Sequence, residues 1–110
     1  MEELFKSENK EKLIEIDSDF GKIIGFTSDK FVEDSYLFLD KKNFLIWVSL
    51  IISKNEGKGN FLNLLNNLKA LKFNLIIPNP SKRMFGISQK FGFSELCILE
   101  GTECVIYTNK

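Results

Sequence analysis

The stretch "NFLIWVSLII", Asn43 to Ile52, limits the fold more than any other. It is nearly continuously apolar, so no alternate position is set aside to meet water. That pattern suits a central strand covered on both faces, and the run is too short to span a bilayer. It passes through "SKNEGKG" into "NFLNLLNNLKALK", residues 60–72. There Phe61, Leu64, Leu65, Leu68 and Leu71 recur at three- and four-residue intervals and line one face of a helix. "FNLIIP", residues 73–78, returns to a strand that Pro78 and Pro80 end, because proline removes a ladder donor. Strand, helix, strand is a crossover unit. The strands 44–52 and 73–78 are therefore expected to be parallel, linked by the helix 60–72.

The flanks add further elements. "EELFKSENKEKLIEI" reads as a short helix or frayed arm leading into a strand near Lys12 to Ile16. "GKIIGF", Gly21 to Phe26, has a β-rich centre between glycines and reads as a short strand, and "SYLFLD", Ser35 to Asp40, as another that ends in the turn "DKKN". Ser81 is placed to cap a second helix over residues 81–91, with Gly92 as its stop and Met84, Ile87 and Phe91 on one face. Gly86 within it costs about 1 kcal/mol relative to alanine. "SELCILE" and "ECVIYTN" form a terminal hairpin through Glu100 to Thr102. The expected fold is a single mixed α/β domain over residues 1–110, with one dominant sheet.

Composition removes several chemistries. The 110 residues include no histidine, so the commonest general base and zinc ligand are missing. Acid–base work near neutral pH falls to carboxylate, tyrosine, cysteine, lysine or water. Cys97 and Cys104 have neither a CxxC spacing nor further partners, and no metal is expected. They read as two small buried hydrophobes, with room to sit on adjacent strands of a hairpin. The charged start "MEELFKSENKEK" lacks the apolar core of a signal peptide, and a cytoplasmic location is expected.

Charge is unevenly spread. Residues 1–53 hold seven basic and eleven acidic groups, residues 54–90 seven basic groups against Glu56 alone, and residues 91–110 one basic against three acidic. The basic block begins at the glycine turn, and its field favours an anionic ligand, although from charge alone a solvated lysine-rich face is the better reading. Glycines that lead a strand into a helix N-terminus let backbone N–H groups approach an anion. A phosphorylated ligand would sit at Gly57, Lys58, Gly59, Asn60 and Phe61. The bland reading is that Gly57 and Gly59 only make the turn. Neither GxxxxGK[ST] nor GxGxxG is present.

"LIISKNEGKGNFLNLL", then "LIIP", then "RMFGISQKFGF", resembles the GNAT superfamily of N-acetyltransferases over roughly residues 23–93. In that family a central strand delivers an R/Q-x-x-G-x-G/A loop into a helix, and a later helix ends in a Gly-Phe element, here "KFGF", Lys90 to Phe93. The runs "SLIISK", "GKGNF" and "RM" also resemble short GNAT-like proteins of phages and bacteria. The resemblance implies a central, mostly antiparallel sheet with one parallel pair. It implies acetyl-CoA as cosubstrate, its pyrophosphate at Gly57 to Phe61 and its pantetheine beside the backbone of Leu50, Ile51, Ile52 and Ser53, where the flanking strands splay. The reaction implied is direct acetyl transfer to an amine on a small molecule or protein, by a monomer or homodimer.

There are departures from the family pattern. With the leucines setting the register, Phe61 replaces the loop's second glycine and Glu56 stands where Gln or Arg is usual; Lys54-x-x-Gly57-x-Gly59 restores the pattern but shifts the helix by two residues. The Phe61 ring either blocks the cofactor or turns into the core. Ser88 stands where many members carry the tyrosine that protonates the leaving thiolate. The catalytic residue is thus not identified, and the candidates are Ser88, Ser49 and Glu33. Ser49 interrupts the long strand and reads first as a core hydroxyl, with Trp47 on the same face also read as core. Glu33 and Asp34 are candidate bases or a solvated turn. Arg83 either meets a phosphate or adenine or lies on the surface. The first reading is an acetyl-CoA-dependent N-acetyltransferase. The second is a GNAT-fold binding protein without catalysis, serving protein interaction. A nucleic-acid surface ranks last, because the phenylalanines fall at core-like spacings rather than beside the lysines.

Overall fold

A computed structural model describes residues 12–54 and 59–109. The element order is β1 (Lys12–Glu15), α1 (Asp19–Ile24), β2 (Tyr36–Asp40), β3 (Leu45–Leu50), α2 (Asn60–Ala70), β4 (Asn74–Pro78), α3 (Lys82–Phe91), β5 (Cys97–Leu99) and β6 (Thr102–Tyr107). The strands form one six-stranded sheet in the order β1-β2-β3-β4-β6-β5. Only β3 and β4 pair in parallel, and every other neighbouring pair is antiparallel. The crossover expected around "NFLIWVSLII" is therefore present, with α2 between its two strands.

Strand alternation divides the core in two. Ile14, Leu37, Ile46, Val48, Leu75, Ile77 and Val105 turn to one face of the sheet and meet Phe61, Leu64, Leu65 and Leu68 of α2 in the larger cluster. Met84, Phe85, Ile87 and Phe91 of α3 pack against the same cluster, as does α1 through Ile24. The other face carries a smaller cluster of Leu45, Trp47, Ile76 and Cys104. Leu45 to Val48 are all buried, so the apolar run is covered on both faces, as its pattern requires.

Several elements differ from the reading of the sequence: β3 is Leu45–Leu50 rather than 44–52, because Phe44 is left-handed at φ 52° and the chain leaves the ladder after Leu50, and β4 begins at Asn74 rather than 73. "GKIIGF" is not a strand but most of α1. The Ser18 hydroxyl accepts from Gly21 N–H at its start, and Gly25 ends it in the left-handed conformation, φ 81°. Gly21 is small for a packing reason: a Cβ there would lie 2.8 Å from the Glu15 carbonyl oxygen and 3.1 Å from that of Phe26. The helix α2 stops at Ala70 rather than 72, because Lys72 turns left-handed at φ 71° and Phe73 N–H bonds back to the Leu68 carbonyl. Leu71 consequently leaves the helix face and is 39% exposed. Ser81 and Gly92 bound α3 as expected. The reading of residues 1–11 as a helix or arm lies outside the described residues.

Candidate functional site

The parallel pair does not run its full length. β3 and β4 are in register only from Leu45 opposite Asn74 to Trp47 opposite Ile76. Beyond Trp47, β3 continues to Leu50 with no partner in β4. On its other side the chain stays tied. Val32 N–H donates to the Ile52 carbonyl (2.8 Å), Ile52 N–H donates to Ser35 Oγ (2.9 Å), and Ser53 bridges Phe31. In extended backbone, successive residues turn their N–H and C=O to opposite edges. Since Ile52 is spent on the 32–35 side, Ile51 presents its peptide groups to the β4 side, where no described residue pairs with them. The result is a strand end with one open edge. Pro78, at the facing end of β4, has no N–H to offer.

The N-terminus of α2 stands beside this edge. Gly59 is its cap, in the left-handed conformation at φ 79°, and among the described residues no side chain caps the first N–H groups. The Asn60 amide instead donates to the carbonyls of Lys30 (3.2 Å) and Lys54 (3.0 Å), pinning the end of the open strand to the start of the helix. By contrast, α3 is closed by Ser81, whose hydroxyl accepts from Met84 N–H. A small cleft of about 60 Å³ lies between the two helix starts, lined by Ile51, Ser53, Phe61, Ser81, Arg83, Met84 and Ile87. Arg83 thus sits where a cation would meet an anion entering along the open edge.

A larger cavity lies elsewhere, on the face of β1 and β2 opposite Ile14 and Leu37. It measures about 600 Å³ and is lined by Leu13, Glu15, Ile16, Asp17, Ser28, Glu33, Asp34, Ser35, Tyr36 and Phe38. Tyr36 and Phe38 form an edge-to-face pair, ring centres 5.5 Å apart. Glu15, Asp17, Glu33 and Asp34 bring four carboxylates to its lining, and the Lys22 and Lys54 charges act on Asp17. The Ser28 hydroxyl and then its backbone N–H hold Asp17 below the usual carboxylate range. Through Ser35, which bonds Ile52, this cavity and the small cleft flank the same strand end.

The residues expected from the sequence are distributed accordingly. Leu50, Ile51, Ile52 and Ser53 form the open strand end, with Leu50 and Ile52 part-exposed. Gly59 and Asn60 begin α2, and Phe61 is buried with its ring in the larger cluster, so it turns into the core while still lining the cleft. Gly57, Lys58 and Glu56 lie outside the described residues. Ser88 is fully buried inside α3 and its hydroxyl donates to the Phe85 carbonyl at 2.7 Å. Ser49 is on the smaller-cluster face with Trp47, its Oγ enclosed and without a hydrogen bond to a described residue. Glu33 and Asp34 border the large cavity, as their place before β2 suggested. Glu15, Asp17 and Tyr36 also line it, and sequence reasoning missed them as a group. Glu15 and Asp17 are remote in sequence from Tyr36 and meet it because Glu15 pairs with Tyr36 across β1 and β2. Among the described residues no group of histidine, cysteine or carboxylate could hold a metal ion, and no helix is long and apolar enough to cross a membrane. Comparison with protein-family models, curated proteins and solved structures finds no match to this chain.

Proposed function

We propose that the chain is a GNAT-type domain that binds acetyl-CoA and transfers its acetyl group to an amine. The observation that carries this reading is the one-sided strand end: β3 parts from β4 after Trp47, and Ile51 keeps peptide groups available on that edge. An extended amide chain such as pantetheine pairs with an open strand edge as an added strand does. The strand order supports the same reading, since a mostly antiparallel sheet with its parallel pair joined by a helix is what the family resemblance implies. The fit extends to the phosphates. Among the described residues no side chain caps the first N–H groups of α2, and Arg83 borders the cleft beside them.

Acetyl-CoA supplies an activated acyl group on a thioester. The chain's own part is to hold, orient and deprotonate. Ile51 and the α2 N-terminus fix the donor along the open edge. The acceptor enters from the large cavity, whose four carboxylates attract a cationic amine and whose Tyr36 and Phe38 rings give it an apolar wall. A protonated amine has no lone pair, so Glu33 or Asp34, directly or through water, takes its proton. Ser88, with its hydroxyl committed to Phe85, does not act as the acid. The departing thiolate, of pKa about 8.5, leaves without one.

The test is titration of acetyl-CoA into the protein, followed by heat and by amide resonances. Binding with shifts at Ile51, Asn60 and Phe61 is expected. Absence of binding at millimolar acetyl-CoA would overturn the acetyltransferase reading and leave a binding domain without the cosubstrate.

A further inference from the structure

Cys97 and Cys104 lie directly opposite each other on β5 and β6. Their sulfur atoms are 3.6 Å apart, and the Cys97 thiol also reaches the Cys104 carbonyl at 3.5 Å. The register is set by a tight turn in which Glu100 (φ 51°) and Gly101 (φ 77°) are both left-handed, the geometry that matches strand twist in a two-residue hairpin. Opposed residues of antiparallel strands have Cα atoms about 4.5–5.5 Å apart. That falls inside the range of about 4.4–6.8 Å that a disulfide spans. Closing the bond thus needs side-chain rotation and no rearrangement of the sheet. The two thiols differ in access. Cys97 is half-buried on the edge strand of the sheet, whereas Cys104 is buried between β5 and β4.

We infer that Cys97 and Cys104 are a reversible thiol–disulfide site that a low-molecular-weight disulfide, such as oxidised glutathione, converts to a cross-strand bond. The Cys97 thiolate attacks one sulfur of the oxidant, forming a mixed disulfide and releasing one glutathione thiolate. The Cys104 sulfur then loses its proton to water and attacks Cys97 Sγ, forming the Cys97–Cys104 bond and releasing the second glutathione. The protein gives up two electrons and two protons, and the oxidant becomes two thiols. Burial raises the Cys104 thiol above its ordinary range, and this cause persists in the mixed disulfide, so the second step quickens as pH rises.

The experiment exposes the full chain to glutathione buffers of increasing oxidised fraction, quenches with acid, and reads intact mass and free thiols. Wild type is expected to lose two hydrogen masses and both thiols while remaining unlinked to a second chain, and to regain both on reduction. Cys104→Ser should stop at the mixed disulfide, carrying one glutathione. Cys97→Ser should react at least about tenfold more slowly than Cys104→Ser, because its remaining thiol is buried and protonated. Wild type that ends with one or two bound glutathiones, that keeps both thiols under fully oxidised buffer, or that crosslinks between chains would overturn the proposal. So would a Cys97→Ser variant that reacts as fast as Cys104→Ser.

Discussion

Gly59→Asp separates ligand binding from folding, because the two effects of the substitution have opposite structural origins. A Cβ at Gly59 meets no described residue within 4 Å, so aspartate does not crowd the described part of the fold. The left-handed φ of 79° strains most residues, but aspartate and asparagine tolerate that region best. A carboxylate at a helix N-terminus also returns about 0.3–1 kcal/mol through the helix dipole. Stability should therefore move by no more than about 1 kcal/mol. Binding should suffer more. With a pyrophosphate of two negative charges seated on the first turn of α2, a carboxylate about 5 Å away repels it by about 1.5–3 kcal/mol at effective dielectric constants between water and half that value. That weakens binding roughly ten- to a hundredfold. Gly59→Asn has nearly the same shape without the charge and should lose much less. Calorimetric titration of acetyl-CoA into both variants, alongside thermal unfolding, checks this, and the gap between them should narrow as salt is raised. Equal losses in the two variants, or none in either, would refute the placing of phosphates at α2.

Other substitutions probe the frame around the site. Leu68→Ala removes a fully buried side chain of α2 from the larger cluster and should cost about 2–5 kcal/mol in denaturant unfolding. Ser88→Tyr, which would place a tyrosine where the GNAT pattern carries its acid, forces a ring into a fully buried position and should destabilise by about 1–3 kcal/mol without raising turnover; Ser88→Ala should leave turnover unchanged in an acetyl-transfer assay. Asp17→Asn tests a pH effect. The folded pKa is lowered by the Ser28 hydroxyl and N–H, so its stabilising contribution is complete above the unfolded pKa of about 3.9 and is lost as pH falls through the folded value. The variant's stability should therefore fall less steeply than wild type's below about pH 4 in acid titrations followed by circular dichroism.

The crossover, α3 with its two caps and the terminal hairpin were legible because each rests on a local signal: the unbroken apolar run, leucines at helical spacing, Ser81 and Gly92. The helix α1 was not. Ile23 and Ile24 between glycines look like a strand, and Gly21 looks like its boundary, yet that glycine is there because the Glu15 and Phe26 carbonyls crowd it. Such crowding is a tertiary fact without a sequence signature, although Ser18 followed by Asp19 was a readable start signal. The strand end at Leu50 to Ser53 was anticipated only through the family resemblance. Its open edge depends on where pairing stops, at Trp47 and Ile76, and no residue type marks that point. The acidic cavity was half legible. Glu33 and Asp34 stood out before a strand, but Glu15 and Asp17 join them through the β1–β2 register.

The strand order carries a consequence for biosynthesis. β6 follows the other five described strands in sequence, yet it lies inside the sheet, paired with β4 on one side and β5 on the other. A ribosome delivers it after everything it must join. Until then Leu75 to Pro78 expose an unpaired edge of the kind that recruits other chains, and β5 has no neighbour at all. A product truncated before Thr102 is therefore not a trimmed domain but a four-stranded sheet with a detached segment. Sheet closure therefore waits on Thr102 to Tyr107, and the fate of the nascent sheet is decided by that one strand.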